Sequence, residues 1–192
     1  MAFIKRIFDK IRLTFFLSAV NGIETHLTDS EKLFLYQISK KTAALTILEV
    51  GSYKGASAVC FATGSPKQAK IYCIDTWDNR SMSEGQYDTF QIFQDNVSQF
   101  SHKIISIRGD SNDSIKSLQH LSLDILFLDG DHSYNAVLND YKNYFPLLKS
   151  GGFLLMHDAG WAEGVQTVIK EHALSQTHEH TFFPNLFVAR KK

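Results

Sequence analysis

Two aspartates and a histidine stand together immediately after an apolar run of the sequence. The run Leu123–Leu128 is followed by Asp129, Gly130, Asp131 and His132. Carboxylates and imidazoles at the end of an apolar strand are costly unless they are paired, bound to a metal or used in a reaction. His, Asp and Glu are also the side chains that most often act as general bases. The cluster therefore predicts a site for proton transfer or for a divalent cation.

Polar residues and glycines follow two earlier apolar runs. The stretch "ILEVGSYKGAS" contains Glu49 and places Gly51 and Gly55 where the backbone can turn tightly and a helix can begin. The stretch "IYCIDTW" contains Asp75, 24 residues after Gly51, near the offset of about 20 at which an acid binds ribose hydroxyls. The glycine spacing fits neither the dinucleotide fingerprint nor a P-loop. Together these residues indicate a nucleoside-containing ligand, and the alternative is that they serve only turns and a loop cap.

A third strand end has two compatible interpretations. Asp110 and Ser111, in "RGDS", come directly after an apolar run. Either residue is suited to cap the helix that follows. The same position lies at the mouth of the predicted sheet, where an adenine ring would be bound.

The elements that position these residues alternate between strands and helices. The predicted strands are 44–50, 70–74, 103–107, 123–128 and 152–156, and the predicted helices are 55–62, 87–100, 111–119, 134–148 and 165–174. Thr28 and Glu31 have the spacing of a capping box and predict the start of an earlier helix. Such alternation indicates a parallel sheet with helices on both faces. The end of the chain, "HTFFPNLFVAR", predicts an antiparallel hairpin.

Length and composition favour one globular domain. The 192 residues are 44% apolar, and 20 basic residues balance 20 acidic ones, which gives no field to attract nucleic acid. We expect residues 1–42 to form an N-terminal helical extension and residues 43–192 to form the catalytic core. Cys60 and Cys73 are expected to be free buried thiols, which suits a reducing cytoplasm.

The first residues, "MAFIKRIFDKIRLTFF", combine apolar residues at helical spacing with basic ones. A helix here would pack on the domain or on a second subunit, or lie on a membrane surface. The uncharged run Leu13–Gly22 is too short to span a bilayer.

In order and spacing, five stretches resemble the class I S-adenosylmethionine-dependent methyltransferases: "ILEVGSYKGAS", "IYCIDTW", "RGDS", "LDILFLDGDHSY" and "LKSGGFLLMHD". Within the class, "DGDHSY" followed by "GG…HD" most resembles small sugar and macrolide O-methyltransferases related to catechol O-methyltransferases. The resemblance covers Leu45 to the C-terminus. It implies a Rossmann-like, doubly wound, mostly parallel seven-stranded sheet whose last two strands form the hairpin. It also implies S-adenosylmethionine as cofactor and a small hydroxylated acceptor, such as a sugar or secondary metabolite.

The resemblance also implies roles for individual residues. The positions matching cofactor-binding motifs are Glu49, Gly51, Ser52, Tyr53, Gly55 and Ser57 for the methionyl part, Asp75, Thr76 and Trp77 for the adenosine, and Asp110 and Ser111 near the adenine. Asp129 would lie beside the sulfonium and, with Asp158, bind Mg²⁺ or another divalent metal. Metal-dependent relatives usually carry a further acid or amide after Asp158, where this chain has Ala159. Asp131 matches the general base of the sugar-modifying relatives, and His132 is the alternative base.

Simpler structural roles compete with several of these assignments. Asp131 would then only cap the helix near Ser133, and His132 would hydrogen-bond to backbone or Tyr134. His157 is expected to be a packed strand-end histidine or an orienting side chain. The tract His178–His180 is expected to lie at a solvated strand edge. The segment after Asp75 predicts a lid with Trp77, Met82 and Tyr87, or an ordinary surface loop.

Three other functions remain open from the sequence. A nicotinamide-dependent oxidoreductase is disfavoured, because the glycine spacing is wrong and the only Tyr-x-x-x-Lys pair, Tyr36 and Lys40, precedes the first strand. A metal-dependent hydrolase or hydroxylase would use the acid and histidine cluster. A cofactor-binding module without catalysis would act through the N-terminal helix.

Overall fold

A seven-stranded sheet forms the centre of the fold. The structure is a computed structural model that describes residue 14 and residues 16–79, 85–183 and 185–192. The strands are β1 Thr46–Val50, β2 Lys70–Asp75, β3 Ile104–Arg108, β4 Leu123–Leu128, β5 Leu148–His157, β6 Thr177–Phe182 and β7 Leu186–Lys191. Their order across the sheet is β3-β2-β1-β4-β5-β7-β6.

The first five strands are parallel, and β7 runs in the opposite direction to both of its neighbours. Ile47 of β1 pairs with Ile71 of β2 on one side and with Ile125 of β4 on the other. β7 runs antiparallel between β5 and β6, so the chain closes with the predicted hairpin. The predicted fold class, Rossmann-like with a mostly parallel seven-stranded sheet, is confirmed.

Helices cover both faces of the sheet. They are α1 Asp29–Thr42, α2 Ala56–Gly64, α3 Phe90–Val97, α4 Ser111–Leu118, α5 Tyr134–Tyr144 and α6 Glu163–Val168, which continues through a π-helical turn Ile169–Ala173 into Leu174–Gln176. α1, α2 and α3 contribute to one apolar core and α4, α5 and α6 to the other. Neighbouring strand residues alternate between them, with Ile47 in the first and Leu48 in the second. Burying each such side chain contributes about 1.5–3 kcal/mol.

Helix α1 begins with the predicted capping box. The Thr28 side chain accepts the Glu31 N–H, and a Glu31 carboxylate oxygen accepts the Thr28 N–H at 2.8 Å. Before it, residues 16–20 are helical, and Phe16 stacks on Tyr36 with ring centroids 4.6 Å apart. The predicted contacts of the N-terminal helix with a second subunit or a membrane fall mainly on residues 1–13, outside the described residues. Among the described residues, no helix is long and apolar enough to cross a membrane.

Two predicted helices are shorter in the structure. α5 ends at Tyr144 rather than residue 148, because a 3₁₀ turn containing Pro146 follows and proline cannot continue an α-helix. β5 then begins at Leu148, earlier than predicted. α3 begins at Phe90 rather than residue 87. Met82 of the predicted lid lies outside the described residues.

Candidate active site

A cavity of about 770 Å³ opens at the carboxyl ends of the parallel strands. This is where the strand order reverses between β1 and β4, the usual ligand position in open α/β sheets. The predicted site residues that line it are Gly51, Ser52, Tyr53, Gly55, Ser57, Asp75, Thr76, Asp110, Ser111, Asp129, Asp131, His132 and Asp158. The cavity has the size of small-molecule sites in proteins.

Asp75 holds the glycine-containing loop in place. One of its carboxylate oxygens accepts the N–H groups of Ser52 and Tyr53, both at 2.8 Å. The other accepts the Trp77 N–H at 2.7 Å. Charge-assisted bonds of this kind are about twice as strong as neutral ones. Asp75 therefore shapes the loop as well as lining the cavity.

Gly51 allows the loops after β1 and β4 to touch. A Cβ built on Gly51 would lie 2.0 Å from the Asp129 carbonyl oxygen. The Gly51 φ of +86° is also in the region that side chains rarely adopt. Only glycine satisfies both conditions, so this close approach explains its place in the motif.

Glu49 does not line the cavity, contrary to the implied contact with the cofactor. Its side chain is fully buried, and neither carboxylate oxygen has a hydrogen-bond partner that meets ordinary geometry. Burial raises the pKa of Glu49 to about 7, against the opposing effect of the nearby Ser52, Cys73 and Ser57 side chains. The carboxyl group therefore lies beneath the loop, and its burial is a cost to folding.

Trp77 is also buried rather than exposed to the cavity. Its ring packs against Phe90 and Phe93, with centroids 4.8 and 4.6 Å away, and its indole N–H donates to the Tyr53 carbonyl at 2.8 Å. The implied contact with adenosine and the predicted lid role are therefore wrong for this ring. The reason is that the apolar face of α3 covers it.

Where β4 and β5 end, two aspartates and two histidines form a connected cluster. His157 Nδ1 lies 3.0 Å from Asp129 Oδ1 and 3.3 Å from Asp158 Oδ1. His132 Nε2 lies 2.7 Å from Asp158 Oδ2. His157 and Asp158 are buried, while His132 is half-buried at the edge of the cavity. The alternative in which His132 bonds to backbone or to Tyr134 is not what the structure has, because His132 Nε2 contacts Asp158 and the Tyr134 hydroxyl donates to Glu171.

The four groups change one another's protonation. Burial raises the pKa of Asp129, against the opposing charge of His157. Burial lowers the pKa of His157, but the negative charge of Asp129 outweighs it and raises that pKa to about 11. Burial also acts to raise the pKa of Asp158, but the hydrogen bonds of His132 and His157 hold it well below its usual range. The hydrogen bond to Asp158 raises the pKa of His132. The cluster thus favours imidazolium–carboxylate pairs near neutral pH.

Two further side chains fix Asp158. Its Oδ1 accepts the Asn185 side-chain N–H at 2.9 Å and the Trp161 indole N–H at 2.8 Å. Asp158 also has a φ of +59°, which is unusual for a residue with a side chain and is often found at functional sites. The Trp161 ring is exposed and meets the His132 ring edge-on at 5.0 Å. The roles of Trp161 and Asn185 were not predicted, because their closeness to Asp158 depends on the path of the chain after β5.

Asp129, His157 and Asp158 have the geometry of a divalent-cation site. One potential ligand atom from each lies within 4.8 Å of the others. Ligands about 2.0–2.6 Å from one ion are at most about 4–5 Å apart, so these three residues fit such an ion. The sequence predicted Asp129 and Asp158 and looked for the third ligand after Asp158. The structure offers it one residue earlier, at His157, while Ala159 is buried in the core.

Asp131 is exposed at the cavity mouth and helps to begin α5. Its Oδ1 accepts the N–H of Ser133, the N-cap residue, at 2.7 Å. Asp131 is therefore not the N-cap of α5: it accepts the N–H of the residue before the helix, and the same side chain also lines the cavity.

At the other end of the cavity, Asp110 and Ser111 begin α4. Asp110 is the N-cap and accepts the Asn112 N–H at 2.8 Å, as predicted. The Ser111 hydroxyl donates to Asp140 Oδ1 at 2.5 Å. Burial raises the pKa of Asp140 to about 6. Asp140 lines the cavity from α5 and was not predicted, since helical spacing alone makes it an ordinary polar position.

A segment before α1 closes one side of the cavity. Glu24 lies 2.8 Å from Lys54 Nζ and accepts the Tyr53 hydroxyl at 3.0 Å. The Lys54 ammonium also lies over the rings of Tyr53 and Tyr87, 4.8 and 5.6 Å from their centroids. No pattern in the sequence predicted this contact.

The chain belongs to a family of methyltransferase domains. The family model described as "Methyltransferase domain" matches residues 48–159. This region contains the glycine loop, Asp75, Asp110 and the Asp129 to Asp158 cluster. The fold is that of the class I S-adenosylmethionine-dependent methyltransferases, as the resemblance implied.

Solved structures with this fold include three methyltransferases. The chain is 14% identical to an O-methyltransferase from Bacillus cereus in complex with SAH, with a TM-score of 0.70 and coverage of 95% and 90% of the two chains. It is 15% identical to the O-methyltransferase TomG from Streptomyces achromogenes, in complex with SAM, with a TM-score of 0.69 and coverage of 94% and 89%. It is also 15% identical to the SAH-bound methyltransferase PaMTH1 of Podospora anserina, with a TM-score of 0.68 and coverage of 92% and 87%.

The curated relatives are of uncharacterized function. The chain is 25% identical over 131 residues to the uncharacterized protein y4gI of Sinorhizobium fredii, and the match covers 66% of this chain. It is 44% identical over 36 residues to the uncharacterized protein R132 of Acanthamoeba polyphaga mimivirus, and the match covers 19% of this chain. The chain spans only 13% and 16% of the lengths of these two relatives.

Proposed function

We propose that this chain transfers a methyl group from S-adenosylmethionine to a hydroxyl oxygen of a small acceptor. The supporting observation is a single cavity that brings the glycine loop and Asp75 together with Asp129, Asp131 and His132. The first group suits an adenosine-containing ligand, and the second suits a hydroxyl that must lose a proton. The family and the fold support the same conclusion, whereas the oxidoreductase and hydrolase alternatives have no support from them.

The cofactor would lie along the strand ends from β1 to β3. The backbone of Gly51 to Gly55 would face its methionyl part, because this loop precedes the start of α2. Asp75 and Thr76 would bind the ribose hydroxyls, and Asp110 and Ser111 would lie near the adenine. Bound there, the cofactor supplies an electrophilic methyl group on a sulfonium. The residues of the chain align it with the acceptor, and alignment supplies much of the acceleration in such displacements.

Asp131 is the general base in this proposal. His132 Nε2 is engaged by Asp158 at 2.7 Å, and this hydrogen bond raises the pKa of His132, so His132 is less available than Asp131 to take a proton. Asp131 is a neighbouring carboxylate on the cavity wall. His132 would instead hold Asp158 by its short contact of 2.7 Å. The roles of Asp131 and His132 are therefore different, although both residues lie at the same strand end.

Asp129, His157 and Asp158 would hold a divalent cation in this site. An imidazole nitrogen beside two carboxylates suits Mn²⁺ or Zn²⁺ better than Mg²⁺, which prefers oxygen ligands. A cation here would lower the pKa of an acceptor hydroxyl close to it. Calorimetric titration with each of the three ions tests this part, and absence of binding by all of them would contradict it.

The acceptor in this proposal is a small hydroxylated molecule, such as a sugar or a secondary metabolite. The exposed Trp161 ring stands beside His132 at the cavity mouth and offers a flat apolar surface to the acceptor. The balance of 20 acidic and 20 basic residues gives no electrostatic reason to expect a nucleic-acid substrate.

The test is an assay of methyl transfer to a panel of sugars and phenols. Transfer is measured as the amount of S-adenosylhomocysteine that forms. Asp131→Asn retains an oxygen for the Ser133 N–H, so the start of α5 is kept. We expect this variant to lose about 10²-fold or more in kcat, the scale of a general base. His132→Gln is the matched comparison, and we expect it to lose less. Normal turnover by Asp131→Asn would show that the base is assigned wrongly, and the absence of any transfer by the wild type would contradict the function itself.

A further inference from the structure

Asp140 is a buried acid in the cavity wall without a cationic partner. It lies on α5, is 6% exposed and lines the cavity near the proposed position of the adenine. The other buried residues of α5 are Val137, Tyr141 and Tyr144, so Asp140 is the one charged group on this face of the helix. Within the part of the chain that the structure describes, Asp140 forms no ion pair, and the Ser111 hydroxyl is its only hydrogen-bond partner. A buried carboxyl group in such surroundings is costly unless a ligand supplies a further donor.

The two oxygens of Asp140 have different surroundings. Oδ1 accepts the Ser111 hydroxyl at 2.5 Å. The Ser111 carbonyl in turn accepts the Tyr144 hydroxyl at 2.5 Å, so two residues one turn apart on α5 hold Ser111 in place. Oδ2 lies beside the loop after β4, where a Cβ built on Gly130 would be 3.5 Å from it. The bond to Ser111 therefore fixes the orientation of the carboxyl group and leaves Oδ2 available to a donor from a ligand.

Asp110 lines the same end of the cavity but is less suited to bind a donor of the ligand. Its side chain is exposed, and its Oδ1 accepts both the backbone and the side-chain N–H of Asn112, at 2.8 and 3.0 Å. Water competes with a ligand for an exposed carboxylate, whereas a hydrogen bond to a buried one is electrostatically stronger. The difference in burial therefore makes Asp140 the stronger acceptor at this end of the cavity.

We propose that Asp140 is a specificity-determining residue that accepts a hydrogen bond from the 6-amino group of the cofactor's adenine. The amino group carries the N–H donors of this base, whereas its ring nitrogens are acceptors. In the proposed function Asp75 binds the ribose hydroxyls, and the adenine is the part of the cofactor that lies near Ser111. A site built to bind an N–H group discriminates against an analogue that lacks it, because the buried acceptor is then left unpaired. This inference deepens the proposed function and rests on it for the identity of the cofactor.

Two matched variants separate the roles of the two aspartates. In Asp140→Asn the amide oxygen can still accept the Ser111 hydroxyl, but the amide nitrogen takes the place of Oδ2 and donates rather than accepts. Asp110→Asn is the control, because asparagine caps a helix about as well as aspartate. Both changes remove one negative charge at the same end of the cavity, so a general electrostatic effect would alter the two variants alike. Burial raises the pKa of Asp140 to about 6, so titration at pH 8 examines the ionised carboxylate.

The test is calorimetric titration with S-adenosylhomocysteine and with its purine analogue, which lacks only the 6-amino group. We expect the wild type to bind S-adenosylhomocysteine about 10-fold or more tightly than the analogue, the usual effect of leaving a buried charged acceptor unpaired. Asp140→Asn should bind the two ligands with similar affinity, whereas Asp110→Asn should keep the wild-type preference. A wild type that binds both ligands alike, or an Asp140→Asn variant with the wild-type preference, would overturn the proposal.

A crystal structure of the wild type with S-adenosylhomocysteine gives a second readout that does not depend on a variant. We expect the 6-amino nitrogen within about 3.2 Å of Asp140 Oδ2, and a distance beyond about 4 Å would overturn the assignment. The titrations also distinguish this inference from the proposed function. Failure of the wild type to bind S-adenosylhomocysteine would contradict both, whereas binding with an unchanged preference in Asp140→Asn would contradict the role of Asp140 alone.

Discussion

The buried carboxyl group of Glu49 leads to a prediction about stability and pH. Burial raises its pKa from 4.5 to about 7. The folded protein therefore keeps this proton up to about pH 7, whereas the unfolded chain loses it near pH 4.5. Because the folded state binds more protons between these values, the Glu49 contribution to stability falls as pH rises from 4.5 to 7. One pKa unit corresponds to about 1.4 kcal/mol. The shift from 4.5 to about 7 therefore lowers the free energy of unfolding by about 3 kcal/mol once Glu49 is ionised in both states.

Glu49→Gln should remove this loss, because glutamine does not ionise. The quantity to compare is the free energy of unfolding of the variant minus that of the wild type. We expect this difference to be about 3 kcal/mol larger at pH 8 than at pH 4.5. The assay is urea unfolding at a series of pH values, with linear extrapolation to water. Glu179→Gln, at an exposed position of β6, is the control and should show a pH-dependent difference within about 0.5 kcal/mol. A Glu49→Gln variant with no gain on raising the pH would refute the idea that this carboxyl is buried without partners.

Other predictions concern the loops around the cavity. Gly51→Ala should prevent stable folding or lower the Tm by more than about 10 °C, because its Cβ would meet the Asp129 carbonyl oxygen. Gly22 also has a positive φ but has open space around it. Gly22→Ala should therefore lower the free energy of unfolding by only about 1–2 kcal/mol. Thermal unfolding followed by circular dichroism compares them, and equal effects would contradict the close approach. Asp75→Asn should weaken S-adenosylhomocysteine binding about 10-fold or more, since it removes charge-assisted bonds that shape the loop; unchanged calorimetric affinity would count against its role. Lys54→Met should speed amide hydrogen exchange in residues 24–27, and unchanged protection would show that the ion pair with Glu24 does not hold this segment.

The sequence was sufficient for the features that depend on local pattern. Alternating strands and helices predicted the parallel sheet, and Pro184 and Asn185 between two β-rich runs predicted the hairpin. The spacing of Thr28 and Glu31 predicted a helix start that the structure confirms. Such signals are local because capping, turns and strand periodicity depend on residues within a few positions of one another.

The sequence was not sufficient for burial and for long-range pairing. Trp77 follows a strand at a cavity edge, yet it is buried because a helix that begins at Phe90 covers it. His157 looked like a packed strand-end residue, and its neighbours Glu31 and Asn185 come from distant parts of the chain. Which side chains meet across such distances depends on helix packing and loop paths that no short motif specifies.

Calorimetric titration of the purified protein with S-adenosylhomocysteine tests the central claim most directly, with NAD⁺ titrated under the same conditions. The cavity at the ends of β1 to β5, with Asp75 beneath the glycine loop, predicts saturable binding of one S-adenosylhomocysteine per chain. It predicts no saturable binding of NAD⁺, because the glycine spacing differs from the dinucleotide fingerprint. Absence of saturable S-adenosylhomocysteine binding, or tighter binding of NAD⁺, would contradict the assignment of this cavity to methyl transfer.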